Sequence, residues 1–117
     1  MWEYRASLRP TVKGGIVDAD TIDVSIDLGF GVSVFERLRL ARIDAPEMQG
    51  DEKEAGEAAR LALVGKLAES ENRLIIQTSK GTGKYGRWIA EVYVGEGSTR
   101  TNINDWLVEQ GHAEYYE

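Results

Sequence analysis

The sequence predicts a small, mainly β domain of the α+β class: a closed or partly closed barrel of about five strands with two or three packed helices. Three observations support this prediction: several short segments alternate apolar and polar residues, two segments have apolar residues at helical spacing, and glycine-rich turns separate them. At 117 residues, the chain is expected to form a single domain over 1–117, without internal repeat or linker.

The first half of the chain carries the strongest strand patterns. The segment from Trp2 to Leu8 alternates and ends near Pro10, which predicts a half-buried strand. The segment 22–28 alternates in the same way, and Gly29-Phe-Gly31 turns it into a partner strand over 32–43, so we expect a long hairpin whose tip has no assigned role. The three tryptophans are predicted to lie in the core: Trp2, Trp88 and Trp106.

The partner strand of this hairpin has a break in its own pattern. Leu38 and Leu40 share the parity of buried residues, whereas Ile43 has the opposite parity, so a regular strand cannot bury all three. One extra residue near Ala41 or Arg42 would reverse the two faces of the strand. The sequence therefore predicts a bulge at this point.

That reversal brings Asp44 to the same side as Arg39. Pro46 then ends the strand, because proline has no N–H to donate, and Glu47 follows. A guanidinium beside carboxylates indicates an anionic substrate held next to a cation. A surface salt bridge at a strand end is the alternative that this stretch leaves open.

The second half of the chain predicts a helix, two strands and a last helix. The first helix is expected to begin near Asp51, which can cap it, and to end by Ser70. Strands are expected over 72–78 and 87–94, with a glycine-rich loop between them. The last helix is expected over about 102–110.

Acidic residues flank both ends of the predicted hairpin. Asp18 and Asp20 precede its first strand, and Asp44 and Glu47 follow its second, so these carboxylates can converge. Converging carboxylates repel one another unless a cation joins them. With no cysteine and His112 as the only histidine, any metal must be a hard cation bound by oxygen. Turn capping is the alternative for the first two aspartates.

A second basic motif, Lys84-Tyr-Gly-Arg87, follows in the glycine-rich loop. Two arginines and one divalent cation would form a clamp for a phosphoryl group that gains charge as water attacks it. A surface ion pair with Glu91 is the alternative for Arg87.

Five short motifs occur in order along the chain: Asp18-Ala-Asp-Thr21, Arg39-x4-Asp44-Ala-Pro-Glu47, Gly56-Glu-Ala58, Lys84-Tyr-Gly-Arg87 and Asn104-x2-Leu107-x3-Gly111-x-Ala113. The ordered set resembles the staphylococcal (micrococcal) nuclease family over roughly residues 14–116. The resemblance implies an OB-fold, a five-stranded barrel with helices packed against it.

The resemblance also implies a calcium-dependent phosphodiesterase that cuts DNA or RNA and leaves 3′-phosphate ends. It implies that calcium, favoured over magnesium, is bound by Asp20, Asp44 and the backbone carbonyl of Ala45. The remaining implied roles are catalytic for Arg39, Glu47 and Arg87 and substrate-binding for Lys84 and Tyr85.

The expected partner is single-stranded or locally unpaired nucleic acid. The net charge of −6 argues against broad electrostatic binding of nucleic acid, but it is compatible with a small site that contacts one or two phosphates. Neither a signal peptide nor a membrane-spanning run is recognised, so a cytoplasmic location is favoured. The oligomeric state is not determined by the sequence, and a monomer is favoured. The alternative function is a non-catalytic OB-fold module that binds nucleic acid or protein.

Overall fold

The computed structural model describes residues 2–11, 13–80 and 88–116. The β-strands in these residues are β1 (Trp2–Leu8), β2 (Ile16–Asp18), β3 (Thr21–Gly29), β4 (Val32–Leu40), β5 (Ile43–Asp44), β6 (Arg73–Lys80), β7 (Trp88–Val94), β8 (Thr101–Asn102) and β9 (Glu114–Tyr115). The helices are α1 (Lys53–Ala68) and α2 (Ile103–Glu109), with short 3-10 helices at Gly50–Glu52 and Gly97–Thr99. None of the helices described is long and apolar enough to cross a membrane.

Five strands close into a barrel. β3 pairs antiparallel with β1 and with β4, and β6 pairs antiparallel with β1 and with β7. A parallel pairing of β4 with β7 completes the circle. β2 extends the sheet beyond β3, β8 pairs with β7, and β5 and β9 form a separate two-stranded ribbon. The architecture is mainly β with packed helices and has the OB-fold arrangement, as the sequence predicted.

The core fills the inside of the barrel and the space beneath the two helices. Ile22, Val24 and Ile26 share the inward face of β3 and are buried, because alternate side chains of a strand face the same side. α1 contributes the buried Leu63 and Leu67, and α2 contributes Ile103 and Leu107. α1 contacts β2, and α2 contacts β5 and β7, so both helices pack beside the ends of the β3–β4 hairpin.

The predicted break after β4 is present as a two-residue turn. Leu40 and Ile43 are both fully buried, although their spacing in a regular strand would place them on opposite faces. The turn between them reverses the faces, with Arg42 at a φ of 68°, in the left-handed region that non-glycine residues rarely adopt. The predicted position of the break is confirmed, but the predicted bulge within one strand is wrong: β4 ends at Leu40, and β5 pairs with β9 instead of continuing β4.

A buried asparagine holds this turn against the barrel. Asn104 donates from Nδ2 to the carbonyl oxygens of Ala41 and Ala90 at 2.9 and 3.0 Å. Its Oδ1 accepts a hydrogen bond from the Val92 amide at 3.1 Å. One side chain of α2 thus fixes both the turn and the adjacent strand β7.

Two local predictions were wrong. Trp2 is 68% exposed rather than buried, because it is the first residue of β1 and lies at one end of the barrel. Trp88 and Trp106 are half-buried and pack against the core. Asp51 does not cap α1, because the chain enters the helix through the 3-10 helix Gly50–Glu52, which places Asp51 inside a helical turn instead of before one.

Candidate functional site

The polar corner before β3 connects the two ends of the hairpin through Asp20. Asp18 Oδ1 accepts a hydrogen bond from the Asp20 amide at 3.1 Å, so the turn-capping alternative holds for Asp18. The Asp20 carboxylate accepts from the Thr21 hydroxyl at 3.1 Å and from the Ala45 amide at 3.0 Å. Its backbone carbonyl accepts from the Leu40 amide at 2.8 Å. Asp20 is therefore fixed from both sides of the hairpin base.

Arg39 lies between the two aspartates that the sequence singled out. Its Nη1 donates to the carbonyl oxygens of Leu40 and Ile43, both at 2.9 Å, because the turn after β4 bends these carbonyls around the guanidinium. Its ion-pair distances to carboxylate oxygens are longer, at 3.6 Å to Asp20 Oδ2 and 3.5 Å to Asp44 Oδ1. The prediction that Asp44 lies on the same side as Arg39 is confirmed.

The two aspartates differ in their access to solvent. The side chain of Asp44 is 69% exposed, whereas that of Asp20 is 11% exposed. Burial alone would raise the pKa of Asp20. Three interactions outweigh burial and hold this pKa below its usual value: the hydrogen bond with Asp18, the hydrogen bond from the Ala45 amide and the charge of Arg39. Burial and the adjacent Asp20 raise the pKa of Asp18 to about 6. Asp18 therefore takes up a proton before Asp20 as the pH falls.

The C-terminal segment, whose tyrosines are expected from the sequence to pack on the barrel, lies directly beside this cluster, and that position was not predicted. β9 pairs with β5, and the Tyr116 amide donates to the Arg42 carbonyl at 3.1 Å. The Tyr116 ring centroid is 5.5 Å from Arg39 Cζ, within cation–π range. The Tyr115 hydroxyl donates to Asp105 at 2.8 Å, so the tail packs on the domain. The adjacent tyrosines after α2 are the sequence feature that could have indicated this contact. The strand itself could not be predicted, because β9 has only two residues and shows no periodicity.

A second charged network, with shorter ion-pair distances, joins the turn after β4 to β7 and α2. Arg42 forms a bidentate pair with Glu91, both contacts at 2.7 Å, and reaches Asp105 at 2.9 Å. Asn102 donates to the same Glu91 carboxylate at 3.0 Å. Glu91, proposed above as an alternative partner for Arg87, is therefore paired with Arg42. That guanidinium is the main reason why the pKa of Glu91 lies below its usual value.

Glu47 occupies an exposed position just before α1. Its backbone amide donates to Glu52 Oε1 at 3.4 Å, and within the described ranges its carboxylate has no hydrogen-bond or ion-pair partner. Gly56 of α1 lies against this segment so closely that a Cβ there would overlap the Glu47 carbonyl. The absence of a side chain at Gly56 thus allows the helix to support the backbone at Glu47.

The remaining candidate residues, Lys84, Tyr85 and Arg87, lie outside the described residues. In the rest of the chain, no group of three or more acidic or histidine side chains is close enough to hold a metal ion. The carboxylate oxygens of Asp20 and Asp44 nevertheless both face the Arg39 charge, and the Ala45 amide binds Asp20, so the Ala45 backbone lies next to these ligands. This donor set fits a hard cation that completes its coordination with water or phosphate oxygens.

The family comparison agrees with the motifs. The model of the staphylococcal nuclease homologue family matches residues 37–117, which is more than half of the chain. The match contains Arg39, Asp44 and Glu47 and begins after Asp18 and Asp20. A comparison with curated proteins finds no match.

Proposed function

The chain belongs to the staphylococcal nuclease family, and we propose that it is a calcium-dependent nuclease of single-stranded or locally unpaired DNA or RNA that leaves 3′-phosphate ends. The observation that carries this proposal is the position of Arg39. Its guanidinium is anchored on two backbone carbonyls, beside the buried Asp20 and the exposed Asp44.

The anchoring suits a phosphate ligand. Because Nη1 is fixed by Leu40 and Ile43, the guanidinium keeps its position without a carboxylate partner. The 3.5 Å contact from Nη2 to Asp44 is long for a charge-assisted hydrogen bond, so a phosphate oxygen can replace it at little cost. The fixed charge would then stabilise the charge that develops on the phosphate in the transition state.

Calcium would be held by Asp20, Asp44 and the Ala45 carbonyl. When bound, it would supply a positive charge that offsets the repulsion between these carboxylates and the phosphodiester. The Asp20 carboxylate is prepared for this role, because its low pKa keeps it ionised and two donors fix its orientation. Asp44 reaches solvent, where substrate arrives.

The general base is assigned to Glu47. Its carboxylate is exposed and unengaged within the described residues, so it is able to accept a proton from an attacking water. Assignments of Arg87 to phosphate binding and of Lys84 and Tyr85 to nucleotide contact rest on the family motif alone.

A cleavage assay tests the proposal. A single-stranded DNA oligonucleotide is incubated with calcium, with magnesium and with chelator, using the wild type, Glu47→Gln and Glu54→Gln. Glu54 is the matched control, since it is an exposed acid in the first turn of α1. We expect calcium-dependent cleavage that Glu47→Gln reduces at least about 100-fold and Glu54→Gln leaves unchanged. Equal cleavage by both variants would exclude Glu47 as the base.

A binding measurement isolates the metal site from catalysis. Calorimetric titration of calcium into wild type and Asp44→Asn should give weaker binding in the variant, because one exposed carboxylate is neutralised while its size is kept. Unchanged affinity would remove Asp44 from the ligand set whether or not the protein cuts DNA.

A non-catalytic binding module is the second candidate. It is favoured by one observation, namely that no group of three acids converges within the described residues. The assay separates the two functions. Tight, calcium-independent oligonucleotide binding without turnover, by folded protein, would support the module and contradict the nuclease.

A further inference from the structure

The barrel has a cavity of about 210 Å³ that the proposed nuclease chemistry does not use. The cavity lies at the end of the barrel where β1 begins. The other end of β1 is close to α1, because the Leu8 amide donates to the carbonyl of Asn72, just after that helix. The lining includes Trp2, Tyr4, Ile26, Leu28, Val34 and Glu36. This is the open mouth of the barrel, a common place for small-molecule sites.

The cavity faces away from the Arg39 cluster. Glu36 has the parity of Leu38 and Leu40, which are buried inside the barrel, whereas Arg39 has the opposite parity. Similarly, Ile26 belongs to the inward-facing residues of β3. A ligand in the barrel mouth would therefore contact the face of β4 opposite to Arg39.

Glu36 is the charged side chain in a lining that is otherwise apolar or aromatic except for Thr78. Glu36 is half-buried, and its carboxylate has no hydrogen-bond or ion-pair partner among the residues described. Its neighbour on the opposite face of β4, Arg37, forms a two-bond pair with Asp23 at 2.8 and 3.1 Å. The hairpin thus pairs the buried carboxylate of Asp23 on one face, whereas the Glu36 carboxylate in the cavity has no partner within residues 2–11, 13–79 and 88–116.

The rim of the cavity is unusually apolar for a surface. Trp2 is 68% exposed, and Leu28 and Val34 are 45% and 38% exposed, around a floor that includes the buried Ile26 and Thr78. Exposed apolar patches of this kind mark interaction sites. Aromatic rings attract cations through their electron-rich faces, and this attraction is strongest where water is partly excluded.

We propose that the barrel mouth binds an organic cation of the quaternary ammonium class. Trp2 and Tyr4 supply the aromatic surface, Glu36 supplies the complementary charge, and the aliphatic residues contact the alkyl groups of the ligand. A quaternary ammonium fits this lining because it carries charge but donates no hydrogen bonds, and the lining has few polar acceptors.

The test compares two ligands of one shape. Choline and its uncharged isostere 3,3-dimethyl-1-butanol are titrated into the wild-type protein, and binding is followed by calorimetry and by tryptophan fluorescence. We expect saturable binding of choline and at least about tenfold weaker binding of the isostere, which corresponds to about 1.4 kcal/mol. Equal binding of both would show recognition of apolar shape only, and no saturable binding of choline would likewise overturn the proposal.

Two variants and a control complete the test. Glu36→Gln should abolish the preference for choline, whereas Asp27→Asn, on the opposite face of the same hairpin, should keep it. Trp2→Leu should weaken choline binding without unfolding the protein, because Trp2 is mostly exposed. A choline preference that survives in folded Glu36→Gln protein would contradict the assigned role of that carboxylate.

Discussion

Two arginines three residues apart, Arg39 and Arg42, are held in opposite ways. Arg39 makes its short contacts, 2.9 Å, with backbone carbonyls and keeps carboxylates at 3.5 and 3.6 Å. Arg42 makes its short contacts, 2.7 to 2.9 Å, with the carboxylates of Glu91 and Asp105. The same side chain is thus positioned by the backbone in one place and neutralised by acids in the other.

The difference indicates what each arginine is suited to do. A guanidinium whose donors are taken up by two carboxylates has little capacity left for a ligand, and it serves to hold β5, β7 and α2 together. A guanidinium fixed by neutral carbonyls keeps most of its charge available and its orientation constant. Anchoring by backbone carbonyls thus distinguishes Arg39, the candidate ligand-binding arginine, from Arg42, the structural one.

The largest expected effect comes from exchanging each arginine for lysine. Arg39→Lys should lower the cleavage rate about 100- to 1,000-fold, because an ammonium cannot keep the two carbonyl contacts and also meet a phosphate in the same geometry. Arg42→Lys should keep the rate and lower the free energy of unfolding by about 1–2 kcal/mol, through loss of the bidentate pair. Single-turnover kinetics and urea unfolding measure the two effects. Reversal of the pattern would contradict the distinction.

The next effect concerns the backbone support of Glu47. Gly56→Ala should destabilise the fold by about 1–3 kcal/mol, because the added Cβ collides with the Glu47 carbonyl and the segment must move. Gly65→Ala, in the same helix with no atom near the added Cβ, should instead stabilise the fold by up to about 1 kcal/mol. Thermal unfolding of both variants, with cleavage rates, tests this. Equal stabilisation by both would mean that α1 does not support Glu47.

The pH dependence of stability provides a smaller test of the structural network. The pKa of Glu91 is lower in the folded protein than its ordinary value of 4.5, mainly because of Arg42. As pH falls, Glu91 therefore becomes protonated at a higher pH in the unfolded chain than in the folded protein. The contribution of its ionised carboxylate to stability is complete above about pH 4.5 and is lost as pH falls through the folded pKa.

Replacing this carboxylate should remove its part of the acid sensitivity. We expect Glu91→Gln to be less stable than wild type at pH 7 and to lose less stability between pH 5 and pH 3, as urea unfolding at each pH would measure. Glu54→Gln serves as the control for loss of one negative charge. An unchanged pH slope in Glu91→Gln would show that the pair with Arg42 does not lower this pKa in solution.

The sequence predicted the barrel well because its strands have one buried face. Alternation in the segments around Tyr4 and Val24 identified strands, and the parity conflict between Leu40 and Ile43 located the turn that surrounds Arg39. It failed at Trp2, since apolar character alone does not show how exposed the end of a strand is. It also failed at Asp51, since a 3-10 entry has no distinct composition.

The candidate site was predicted in composition but not in its contacts. The motifs brought Asp20, Arg39 and Asp44 together correctly, yet the carbonyl contacts of Arg39 carry no side-chain signal and were not foreseen. The motif gave a role to Arg39 and none to Arg42, so the charged network of Arg42 was not predicted. Their different roles depend on long-range partners such as Glu91, which only the fold brings near.

The smallest expected effect concerns the tail that lies over the site. Tyr116→Leu removes a ring centred 5.5 Å from Arg39 Cζ but keeps the backbone bond to the Arg42 carbonyl. Because an exposed cation–π contact contributes about 0.5–1 kcal/mol, the cleavage rate should fall less than about fivefold, and Tyr116→Phe should match the wild type. If Tyr116→Leu lost activity as severely as Arg39→Lys, the ring and not the two carbonyls would position the guanidinium, and the contrast between the two arginines would need another explanation.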